Sequence, residues 1–220
     1  MFGHYYNENL RKLVVGFGSL FSKIEVARIE PDTSTSFNIR VPIHYSPQEK
    51  FIQRLLQPSS ITDGTRIETQ LPIISYIINT IVPDPTRRLN RIAPILNLTN
   101  VNGSCQSSGT QIGSKIPVNV SFNLFVYTRH TDDMLQIVEQ IMPYFVPEHI
   151  ITMNMNETQQ DVQIPIVMVT NSLTEKYEGD LSSRRLNIAS FQFVAKSWIF
   201  GEIKTATAVT TANSGVVFED

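Results

Sequence analysis

From Ile116 to Val126 the chain alternates without interruption. Ile116, Val118, Val120, Phe122, Leu124 and Val126 fall on one side of an extended strand, and Asn119, Ser121 and Asn123 fall on the other. A period of two held over that length gives the strand one apolar face for a core and one polar face away from it. Any fold this chain adopts therefore contains a sheet with a side that must be covered, and the remaining segments have to supply the cover.

Two segments have the helical period. Leu10, Leu13, Val14, Phe17, Leu20 and Phe21 share one face of a 3.6-residue repeat. Gly16 and Gly18 interrupt that helix, each at about 1 kcal/mol relative to Ala. Thr131 reads as an N-cap, with Asp132 and Asp133 as first-turn carboxylates at the positive end of a helix carrying Met134, Ile137, Val138, Ile141 and Phe145. Pro143 and Pro147 end or kink it. Ser46-Pro47-Gln48-Glu49 reads as a capping box, the Ser46 hydroxyl accepting from the Glu49 amide and the Glu49 carboxylate from the Ser46 amide. A short helix through Phe51, Ile52, Leu55 and Leu56 follows and stops before Pro58.

Further strands are predicted around Ile24 and Val26 and around Phe37, Ile39 and Val41, with EPDTSTS as the turn of a hairpin or meander. The run from Leu71 to Val82 is apolar nearly throughout and predicts a strand covered on both faces. Residues 162–170 and 185–200 predict two more. The second shifts its apolar phase from Leu186 and Ile188 to Phe191 and Phe193, which signals a bulge or burial on both sides. The polar run NVNGSCQSSGTQIGSK predicts a mobile loop at about 100–115, and KTATAVTTANSG a flexible arm over 201–220 tipped by Val216-Val217-Phe218. That arm could add a strand to a neighbour's sheet. The sum is an α+β chain with a single domain over residues 1–200: a mostly antiparallel or mixed sheet of about five or six strands, with two or three helices on one face.

Composition narrows function. The 220 residues carry 18 Lys and Arg against 20 Asp and Glu, a formal charge of −2, so no global positive field draws the chain to nucleic acid or to an anionic membrane. Charged residues make up 17%, below the usual quarter, while 12 Phe and 7 Tyr supply aromatic surface, a balance expected where partners cover much of the molecule. Cys105 is the one cysteine and has no partner for a bridge within the chain. Asn97, Asn102, Asn119 and Asn156 head glycosylation triplets without a secretory context. The opening MFGHYYNENLRK lacks a signal-peptide layout and no apolar run approaches ~18 residues, so a soluble protein made inside the cell is expected.

Catalytic signatures are missing. Gly16-Phe17-Gly18 lacks the third glycine of a dinucleotide loop, and no Gly-Lys-Ser/Thr cradle or Gly-x-Ser-x-Gly elbow occurs. His4, His44, His130 and His149 are scattered, so no metal or other cofactor is expected. Cys105 has no nearby His to activate it. His130, Asp132 and Asp133 form the one cluster with chemical potential, as a cation ligand set or proton shuttle of an enzyme or ligand-binding domain. The helix-start reading of those residues competes with it. Arg87, Arg88 and Arg91, and Arg184 with Arg185, read either as solvated turn residues or as a docking patch for an acidic partner.

Four segments carry a family resemblance: MFGHYYNENLRKLVVGFGSLFSKIEVAR, IRVPIHYSPQEKFIQRL, FVYTRHTDDMLQIVEQIMPYFVP and LSSRRLNIASFQFVAKSWIF. Together they resemble the tail sheath stabiliser and completion proteins of contractile-tailed, T-even-like bacteriophages. The likeness spans roughly residues 1–200, is most specific in TRHTDDMLQIVEQIMPYF, and fades after about Phe200. It implies a non-enzymatic virion protein, made in the host cytoplasm and placed at the head-proximal end of the tail, with a fold akin to phage tail terminators. The implied partners are copies of itself in a hexameric ring, the tail sheath protein, the tube terminator and the neck proteins that complete head–tail joining. Genomic DNA would pass through the lumen without specific binding, and no membrane is involved. On this reading Arg129, Asp132, Asp133, Arg184 and Arg185 are the expected inter-subunit or partner-docking charges.

Overall fold

The computed structural model describes residues 4–29, 36–50, 52, 71–88, 95–98, 108–112, 115–154, 161–176, 186–201 and 203–207. The elements in chain order are α1 (Asn9–Leu20), β1 (Glu25–Ile29), β2 (Ser36–Arg40), β3 (Ile43–Tyr45), β4 (Ile73–Pro83), β5 (Ile95–Leu98), β6 (Ser108–Ile112) and β7 (Ile116–Thr128). There follow α2 (Thr131–Ile141), a 3₁₀ turn at Met142–Tyr144, β8 (His149–Met153), β9 (Val162–Lys176), β10 (Leu186–Ile199) and β11 (Ile203–Thr207). The class is the α+β, mostly sheet, that the pattern implied.

The alternating segment is β7, and it lies inside a six-stranded sheet of order β3-β4-β7-β10-β9-β8. Its thirteen residues pair antiparallel with β10 from Asn187↔Thr128 to Ile199↔Ile116. β4 and β9 flank this pair, also antiparallel, and only β3 joins in parallel, against Ile74–Tyr76 of β4. β1 and β2 form a separate antiparallel hairpin. A third small sheet, of order β11-β6-β5, is built from residues 95–98, 108–112 and 203–207. Part of the stretch expected to be a loop and part of the expected C-terminal arm are thus strands, with β6 paired to β11 from Ile112↔Ile203 to Ser108↔Thr207.

α1 and α2 cover the apolar face of β7. Leu13 and Phe17 of α1 and Met134, Ile137 and Ile141 of α2 join Val120, Phe122, Leu124, Phe191 and Phe193 in one buried cluster. The Phe17 ring stacks on Phe122 at 4.3 Å with 7° between planes, and meets Phe193 edge-on at 5.5 Å. Gly18 explains the helix's local weakness. A β-carbon there would overlap the Tyr76 hydroxyl and ring, so glycine lets α1 press onto β4 while the Tyr76 hydroxyl donates to the Val14 carbonyl.

A smaller cluster of Ile73, Tyr127 and Ile188 lies on the other face of the sheet, where helical Ile52 packs on it. This resolves the phase shift read in β10: Leu186 and Ile188 serve that second cluster, and Ala189, Phe191 and Phe193 serve the main one. The bulge lies in the partner strand, where Val169 of β9 is skipped between Thr170↔Gln192 and Met168↔Phe193.

Three local expectations change. β4 is buried only over Ile73–Tyr76 and exposed from Asn79 onward. The N-cap of α2 is His130, not Thr131, and it makes no side-chain cap bond; Thr131 is the first helical residue and its hydroxyl accepts from Asn187. The Ser46 amide donates to the Tyr76 carbonyl at 3.1 Å and its hydroxyl to the Pro47 carbonyl at 3.3 Å, so the β3–β4 junction takes the donor assigned to a capping box. Phe51, Leu55, Leu56 and Pro58 lie outside the described residues.

Candidate docking surfaces

The start of α2 holds three of the five charges singled out in the sequence. Arg129 is exposed. Asp132 is exposed too and accepts from the Gln136 amide one turn on, at 2.9 Å. Asp133 is 3% exposed, and its Oδ2 takes a 2.6 Å hydrogen bond from Arg28 of β1. That carboxylate fastens the β1–β2 hairpin to α2 and is used inside the subunit. Gln136 and Gln140, one turn apart, complete the joint: each side-chain amide donates to and accepts from the backbone of one β1 residue, Ala27 and Glu25 respectively. The two glutamines imitate a neighbouring strand and cover the outer edge of β1. No spacing rule announces such a pairing, because it depends on where tertiary packing sets α2.

His130 thus stands beside one exposed carboxylate, while the other is turned to an arginine. Among the described residues no three His, Cys, Asp or Glu side chains are grouped to hold a metal ion. Arg184 and Arg185, which fall in sequence between β9 and β10, lie outside the described residues, as does Cys105.

Arg87 proves to be a structural tether. Its Nε donates to Asp84 at 2.6 Å, its guanidinium reaches the Asn119 side chain at 2.9 Å and the Val118 carbonyl at 3.3 Å, and it lies 5.2 Å from the Trp198 ring centroid. The Lys115 ammonium lies 4.9 Å from the same centroid. Hydrogen bonds from Thr86 and Arg87 hold the Asp84 carboxyl well below the usual carboxylate range. The sequence showed the arginines but not this assembly, whose members come from three distant segments. Arg88, next to it, is exposed.

The face of the sheet opposite α1 and α2 carries few charges. Across β4, β7 and β10 it includes Ile77, Thr80, Asn119, Ser121, Asn123, Gln192 and Val194; Lys196 is the one charge these three strands contribute to it, and Arg87 reaches in to Asn119. Large apolar side chains are exposed along the outer strands and after α2: Val82 of β4, Val169 and Leu173 of β9, and Tyr144 and Val146. The concavity between α1 and β8, lined by Arg11, Lys12, Val15 and Met153, is open and shallow. No helix among the described residues is long and apolar enough to cross a membrane.

Exposed apolar side chains on outer strands and a sheet face of low charge mark a structural α+β subunit with surface suited to contact with other chains. The comparison with known families is specific: the model of the T4-like virus Myoviridae tail sheath stabilisers matches residues 4–217, and the chain belongs to that family. It is a component of the virion tail. The tail completion protein gp15 of Enterobacteria phage T4 is 32% identical over 217 residues, which cover 94% of this chain and 75% of that protein. The likeness runs past Phe200, where the sequence reading had it fade, and takes in β11.

Proposed function

We propose that this tail sheath stabiliser acts as a hexameric ring that caps the contractile tail at its head-proximal end. There it blocks further addition of sheath, holds the last sheath layer and the tube terminator, and presents a surface to the neck proteins that join tail to head. Its role is assembly, not catalysis. Family membership over residues 4–217 is the observation that carries this reading. Low charge and exposed apolar side chains on outer strands support it, since a ring needs a heterologous interface that closes on itself. The sparsely charged face opposite α1 and α2 suits a wall past which DNA slides, because each phosphate paired with a basic side chain adds affinity and so drag.

Within the ring, Arg129, Asp132, Arg184 and Arg185 serve as docking charges, and Asp133 holds α2 in place from inside. Charge reversal at Arg184 and Arg185 tests the docking role and is expected to weaken ring formation or tail stability; unchanged rings and tails would refute it. The ring itself is tested by light scattering on the purified protein, followed by negative-stain imaging with and without tail tubes. Six-fold rings, free or only at tube ends, are expected. A stable monomer that ignores tails would overturn the reading.

A further inference from the structure

The six-stranded sheet ends on two short strands, and each covers a third or less of the strand beside it. β3 pairs with Ile74–Tyr76 of β4, leaving the outer edge of β4 from Ile77 to Pro83 without a strand among the described residues. β8 pairs with Val162–Ile166 of β9, leaving the outer edge of β9 from Val167 to Lys176 in the same condition. Bare edges in natural sheets are ordinarily blunted by charge or proline. Here the proline and the charges stand only at the far ends of the two edges, as Pro83, Glu175 and Lys176; Ile77–Val82 and Val167–Thr174 have neither, and exposed apolar side chains stand on both, Val82 at 53% and Val169 at 58%.

The two bare edges are complementary in direction and in position. β4, β7, β10 and β9 are linked by three antiparallel steps, so β9 runs antiparallel to β4. A copy placed beside β9 in the same orientation therefore offers its β4 in the antiparallel sense. The bare part of β9 lies toward the Thr128 end of β7, and the bare part of β4 toward the Ile116 end. Sliding the second copy along the strands by about half their length joins the two bare parts and leaves β3 and β8 clear of each other. A constant slip from one copy to the next, taken up by strand tilt, is the condition for closing a sheet on itself.

We propose that neighbouring subunits of the ring join by strand addition between unlike edges, Val167–Thr174 of one copy pairing antiparallel with Ile77–Val82 of the next. The proposal rests on the ring reading and names its interface as backbone pairing between two copies of this chain.

Cysteine cross-linking in a Cys105→Ser background tests it. Thr80 and Ser172 are exposed on the same face of the sheet. Within one subunit β4 and β9 are three strand spacings apart, about 14 Å, too far for a disulfide. Oxidation of a Thr80→Cys/Ser172→Cys protein under ring-forming conditions should give a ladder of covalent oligomers ending at the mass of the ring. Single-cysteine variants should give no ladder. Thr80→Cys/Thr170→Cys and Thr80→Cys/Thr174→Cys cover the neighbouring registers on either side. As a second readout, Val169→Lys/Leu173→Lys should abolish the ring species while the chain remains a folded monomer. Rings that persist in the lysine variant, with no ladder from any pair, would overturn strand addition and leave the ring reading standing. A wild-type protein that is monomeric both free and on tube ends would defeat the ring reading, and this proposal with it.

Discussion

Replacing Gly18 by Ala sets local helix preference against tertiary packing, and the structure decides the sign. On helix propensity alone the change should stabilise α1 by about 1 kcal/mol. The new β-carbon would, however, overlap the Tyr76 hydroxyl and lie 2.7 Å from its Cζ, atoms of a ring held between α1 and the sheet. Overpacking of that kind costs about 1–3 kcal/mol. Moving Tyr76 also strains its 3.2 Å bond to the Val14 carbonyl, which contributes about 1 kcal/mol. The net expectation for Gly18→Ala is a loss of about 1–3 kcal/mol, or roughly 2–12 °C in melting temperature for a chain of this size. Gly16→Ala in the same helix is the control. Its β-carbon would meet the mobile end of Met153, 2.8 Å from Cε, which can swing away, so a gain of up to about 1 kcal/mol is expected. Urea denaturation of the three proteins, compared at unchanged m-value, provides the measurement. Equal effects of the two substitutions, or a stabilised Gly18→Ala, would refute the claim that glycine is there for close approach.

Phe17→Ala removes a fully buried ring packed on Phe122 and Phe193 and should cost about 3–5 kcal/mol, read as a lower urea midpoint. Asp133→Asn should cost about 1–2 kcal/mol, discounted because the Arg28 side chain is 33% exposed, whereas Asp132→Asn should stay within about 0.5 kcal/mol; thermal unfolding of both separates the two roles. Asp84 carries a depressed carboxyl pKa, so its contribution is complete above the ordinary value of 3.8 and is lost as pH falls further. The stability gap between wild type and Asp84→Asn should therefore be flat above about pH 5 and shrink toward acid, and a gap that widens there would contradict the assigned hydrogen bonds.

Much of the fold was legible because it rests on short-range periodicity. The alternation of β7, the apolar faces of α1 and α2 and the hairpin before Val41 are properties of neighbours in sequence, and each formed as its pattern implied. The family likeness was legible for the same reason, in runs of contiguous residues. What the sequence misassigned or left out were features settled by distant partners. Gly18 looked like a defect in a helix until Tyr76 arrived beside it, and Asp133, the first-turn carboxylate its position implied, also meets Arg28, a partner no local pattern shows. Ser46 looked like a cap, but the Tyr76 carbonyl took its amide, and the polar residues 108–112 looked like loop until β5 and β11 supplied ladder partners. Hydrogen-bonding groups and close contacts are satisfied by whatever the fold brings near, so a local pattern fixes which face an element buries, while only the tertiary arrangement decides what each exposed or polar group meets.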